Sequence, residues 1–145
     1  MVSFFMIIFI LKFIHLISLF FAGGGAIGSA VIQSIYKKEG KVPEPHLAKG
    51  FRILAFLSLL AVITMWVTGL IMLISIYGSF NLGWIFHMKL LGASLILIPV
   101  AYVNFHLQQA SKKQIPPNPK VIKYTTSASR IGLILAIAGA VGTFI

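Results

Sequence analysis

Two histidines stand inside otherwise apolar stretches, each with a lysine close by. His15 follows Lys12 by three residues, so on a helix the two share a face. His87 precedes Lys89 by two, so those two side chains diverge. Ionisable residues inside a bilayer are costly, usually face a bundle interior, and mark functional sites by default. Two imidazoles at one level on different helices can ligate one metal from opposite sides. A haem held between membrane helices needs that arrangement: two axial ligands and a flat apolar slot.

Counting from the nearest basic flanks tests the level. His15 lies 22 residues before Lys37, His87 lies 25 before Lys112, and Met72 lies 20 after Arg52. At ~1.5 Å of rise per residue, these heights agree within roughly one to two helical turns. The spacing therefore suggests His15 and His87 as axial ligands of a haem, with Lys89 as an alternative ligand; hydrogen-bonded structural histidines or a proton relay are the other readings of the two imidazoles. Lys12 and Lys89 would balance the charge of its propionates. Along one face of the first segment run Lys12, His15, Ser18, Ala22, Gly25, Ser29 and Gln33, all polar or small. Gly24 and Gly25 leave a surface without side chains that a flat macrocycle can approach. The same small residues equally suit close helix packing.

Other residues offer rival chemistry. Met65, Met72 and Met88 carry thioethers, and with the imidazoles these suit copper(I). They serve equally as apolar filler. His106 and His46 read as interfacial polar residues. There is no cysteine, so disulfides, thiolate metal sites and cysteine nucleophiles are excluded. The two acidic residues, Glu39 and Glu44, cannot build a carboxylate pair in a membrane core.

The elements that must position these groups are helices. Of 145 residues, 59% are hydrophobic and 10% charged, which excludes a soluble globular domain and a disordered chain. Four apolar segments, roughly 2–36, 51–77, 83–107 and 124–145, each exceed the ~20 residues that cross a bilayer. The expected helices cover roughly 2–36, 47–78, 83–110 and 122–145, a single all-α domain of four transmembrane helices running up-down-up-down. Alternating ten-residue strands are absent, which disfavours a β-barrel. Pro99 predicts a kink in the third helix. Gly132, Ala136 and Ala140, with Gly139 and Gly142 beside them, form a small-residue ridge on the fourth.

The net charge of +10 is a topology signal. Ten of the 12 Lys and Arg residues flank the first and third connectors, and the middle connector has none. The positive-inside rule makes those connectors cytoplasmic and both termini external, in the inner membrane of a cell. Anionic lipid is the expected contact of the basic face, and nucleic-acid binding is not expected. Residues 2–36 would span ~52 Å as one helix, longer than the hydrocarbon requires. The overshoot, MVSFFMIIFI, predicts contact with a second copy or with a larger membrane complex.

LKFIHLISLFFAGGGAIGSAVI (11–32) resembles the opening helix of CopD-like and HemJ-like membrane proteins, which begin Leu-Lys-x-x-His before a small-residue run. WIFHMKLLGASLILIPVAYVNFH (84–106) resembles their third helix, with its His-x-Lys-Leu core. The resemblance covers about a third of the chain. It implies a haem site using Lys12, His15, His87 and Lys89. HemJ-type members are haem-b-containing protoporphyrinogen oxidases, and CopD-like members are associated with copper uptake. The expected function is therefore haem-linked electron transfer, or redox chemistry on a porphyrin or quinone, near the outer leaflet. Copper handling, and a cofactor-free accessory subunit of a larger complex, are the alternatives.

Overall fold

The computed structural model describes residues 3–143, so the expected helix ends at residues 2 and 145 lie outside the described residues. Four helices follow one another: α1 (Phe4–Lys38), α2 (Pro45–Met72), α3 (Trp84–Lys112) and α4 (Pro119–Thr143). Each is long and apolar enough to cross a membrane, and no strand occurs among the described residues. The last turn of α2 passes into a π-helical segment, Leu73–Tyr77, which closes on Gly78 in the left-handed region.

Local sequence accounts for the boundaries. The Ser3 hydroxyl accepts from the Met6 amide and starts α1. Gly40, at φ +65°, ends it: the Gly40 and Lys41 amides donate back to the Lys37 and Tyr36 carbonyls. Pro45 opens α2 and Pro119 opens α4, at positions where a missing N–H costs nothing. Asn118 caps α4 through its side chain to the Lys120 amide. α3 runs through Pro99 as one helix, with the Leu95 carbonyl deprived of its usual donor.

The helices form a chain of neighbours. α1 packs on α2, α2 on α3, and α3 on α4, and α1 has no extended seam with α3 or α4. Arg52 at the start of α2 donates to the Ser111 hydroxyl at the end of α3. The two basic connectors therefore share one end of the molecule, as the charge pattern predicts.

Few residues are buried, and they are small or polar as often as large: Ser18, Ala61, Val62, Thr68, Leu73, Phe86, Ile96 and Ala110. Large apolar side chains point outward instead, with Phe5 83% and Phe20 74% exposed. Lipid is as apolar as leucine, so burying leucine drives no association there. Close backbone approach and polar ties must hold the helices.

Both devices are visible. A Cβ on Gly92 would strike the Ala136 amide nitrogen and come within 2.6 Å of the Gly132 carbonyl oxygen. A Cβ on Gly139 would lie 2.6 Å from the Lys89 amide nitrogen, and one on Gly142 2.7 Å from the Ile85 side chain. The expected ridge on α4 thus meets α3 backbone to backbone, with Gly92 as its counterpart. Between α2 and α3 the ties are polar. The Trp66 indole donates to the Ala93 carbonyl at 3.3 Å, and the Asn104 amide to the Ala55 carbonyl at 2.9 Å.

Candidate functional site

A cluster of intramembrane polar residues lies on the α1–α2 seam. His15 is half-buried on the face of α1 that meets α2. Its Nδ1 lies 2.9 Å from the Thr68 hydroxyl oxygen. That hydroxyl has one proton, and it is directed at the backbone: the Thr64 carbonyl lies at 2.8 Å and the Met65 carbonyl at 3.2 Å. The Thr68 oxygen is then left to accept, so His15 carries its proton on Nδ1. The Met65 carbonyl also faces the ring. This network assigns the tautomer and leaves the Nε2 lone pair unused. Gly69 completes the setting, since a Cβ there would touch His15 Cε1 at 3.4 Å.

Lys89 is half-buried on α3. Its turn of α3 is seated directly on Gly139 of α4, which fixes its backbone. No carboxylate side chain is near. Glu39 pairs with Lys41 at 3.1 Å and Glu44 caps α2, both at the opposite end of the α1–α2 hairpin. The site is therefore an imidazole tied through Nδ1 to a hydroxyl, with its Nε2 lone pair free, within an apolar surround.

The predicted residues divide. His15 is tied to Thr68 of α2, and Lys89 sits against Gly139 of α4. His87 is exposed, its ring lying edge-on to the buried Phe86 with centroids 6.3 Å apart. Neither a hydrogen bond nor a ring contact joins the two imidazoles among the described residues. Residues two apart on a helix stand ~200° apart, so Lys89, seated against α4, and His87 lie on opposite sides of α3. Lys12 is exposed. Met72 lies one turn beyond Thr68, as the depth count requires.

Gly24 and Gly25 lie farther along the α1–α2 seam. There they line a groove of about 580 Å³, with Phe20, Phe21, Leu57 and Leu60 among its walls and Ser18 and Thr64 as its hydroxyls. His106 belongs to the other end, where its Nε2 accepts from the Asn118 amide at 2.9 Å and braces the start of α4. His46 is exposed in the first turn of α2.

Sequence reasoning misses Thr68, Gly69 and Gly92. Thr64 and Thr68 are a polar pair four residues apart in an apolar helix, a signal available in the chain. Gly92 carries none beyond its size.

Among the described residues no group of three or more His, Cys, Asp or Glu side chains converges as a metal cage. No curated protein and no solved structure matches the chain. Residues 9–145 match the family described as predicted integral membrane protein (DUF2269), and the chain belongs to that family.

Proposed function

We propose that this membrane protein binds haem b beside His15 and acts in electron transfer, or in redox chemistry on a porphyrin or quinone. The carrying observation is the His15–Thr68–Thr64 relay, which fixes the imidazole and presents Nε2 as a donor. Metal-ligating histidines are held this way, with the second ring nitrogen tied to a neighbour. A porphyrin brings four nitrogen donors of its own. A site with one oriented imidazole suits it better than a bare copper ion, which would need several protein donors at one point. The resemblance of 11–32 and 84–106 to CopD-like and HemJ-like helices supports the same reading.

Haem, when bound, supplies one-electron chemistry. The chain's own residues do the rest. His15 would hold the iron side of the site, Thr68 sets its tautomer, and Gly69 leaves its ring room. Lys89, half-buried where His87 is exposed, is proposed as the second ligand or as the partner of a propionate. The basic end formed by the two connectors faces the cytoplasm in this reading, which puts His15 and Lys89 in the outer half of the bilayer.

The test is the visible spectrum of the detergent-purified protein, oxidised and reduced. A Soret band that His15→Ala abolishes, Thr68→Val weakens and His87→Ala retains is the expected result. A protein without a Soret band that carries copper by metal analysis would replace this reading with metal handling. The absence of both would leave an accessory subunit.

A further inference from the structure

Ser18 is 6% exposed and its hydroxyl makes no hydrogen bond, while no sealed side-chain N or O atom among the described residues lacks a partner, so its oxygen opens onto the groove that it lines. A hydroxyl that faces an apolar surround without a partner is costly. Serines in membrane helices usually avoid that cost by donating to the carbonyl four residues back, as Ser94 and Ser129 do here. Ser18 does not, and it lines the α1–α2 groove.

The rest of the groove says what such a hydroxyl serves. It lies on the seam of two membrane helices, so its occupant comes from the bilayer. Gly24 and Gly25 give it a floor of bare backbone. Phe20 and Phe21 stand edge to face at 5.9 Å, and Leu54, Leu57 and Leu60 continue the wall. Thr64 donates to the Leu60 carbonyl at 2.9 Å, so its oxygen can only accept. Its volume of about 580 Å³ lies in the range of small-molecule sites. An acyl chain would fill the apolar part and leave Ser18 unsatisfied. A flat ring with a carbonyl satisfies it, and the ring's reduced form has a hydroxyl that Thr64 can accept.

We infer that this groove binds the ring of a lipid-soluble quinone, with Ser18 donating to a ring carbonyl and Gly24 and Gly25 beneath the ring. The site is one helical turn from His15 on the same face of α1, but its existence does not depend on His15 binding a metal.

The experiment uses the full chain in quinone-free lipid nanodiscs, titrated with decylubiquinone, with bound and free quinone separated and quantified by absorption. Saturable binding is expected. Ser18→Ala should weaken it roughly 3- to 10-fold, the loss of one hydrogen bond. Gly24→Leu, whose Cβ meets open space, should fill the groove and weaken binding at least about tenfold. Gly28→Leu is equally unhindered but lies outside the groove, and should leave binding unchanged. Any Soret band should persist in Gly24→Leu, which reports the fold and the His15 site separately. Binding that never saturates, or that Gly24→Leu and Gly28→Leu alter equally, overturns the inference. So does equal competition by squalene, which has no carbonyl.

Discussion

The α3–α4 seam and the α1–α2 seam follow opposite rules. Over its outer half the first is glycine-built: Gly92, Gly132, Gly139 and Gly142 bring two helices into close contact between residues 85–95 and 132–142. The second has small residues too, but Gly23, Gly24 and Gly28 meet nothing within 4 Å, and the seam opens into a groove. What crosses it is polar, His15 to Thr68. The α1–α2 hairpin is also the longer one, with α1 at 35 residues and α2 with its π-segment at 33, against 29 for α3. Where lipid removes the hydrophobic drive, a tight seam anchors and a loose seam leaves room for a ligand. Lys89 belongs to the first, its backbone clamped by Gly139.

Substitutions break or sharpen that contrast. The largest effect should come from Gly139→Leu, which drives a side chain into the Lys89 backbone and cannot be relieved by rotating a neighbour. A loss of about 3 kcal/mol is expected, read as a lowered thermal midpoint in detergent. Thr68→Val removes the partner of His15 and should lower stability by about 1 kcal/mol, within the measured spread for membrane helix hydrogen bonds. Asn104→Leu cuts the tie to the Ala55 carbonyl and should cost about 0.6 kcal/mol by the same assay. Gly28→Leu should cost nothing and can add about 0.5 kcal/mol, because glycine in an open helix position is itself unfavourable. Equal losses for Gly139→Leu and Gly28→Leu would erase the distinction between the seams.

Much of this was legible in the chain. The stripe His15, Ser18, Ala22, Gly25, Ser29 and Gln33 is the less exposed side of α1, because a 3.6-residue period fixes which residues share a face. Lys12 heads that stripe but lies exposed. The α4 ridge is likewise where small residues place it. Depth was legible from residue counts, since a helix rises uniformly, and His15 meets α2 one turn from the predicted Met72. Rotation about each helix axis was not. Which sides of α3 Lys89 and His87 occupy turns on where the glycine seam lies, and that depends on Gly92, whose lack of a side chain leaves no polarity to read. Thr68 was equally silent as a partner of His15, because its role depends on a contact 53 residues away. The N-terminal overshoot remains an exposed run, with Phe4, Phe5 and Phe9 turned outward.

The tie between His15 and Thr68 is the contact on which the site rests, and the cysteine-free chain makes it directly measurable. In lipid nanodiscs, a short homobifunctional maleimide should join the two cysteines of His15→Cys/Thr68→Cys and leave His15→Cys/His87→Cys unlinked. Efficient linking of the second pair and none of the first would contradict the account.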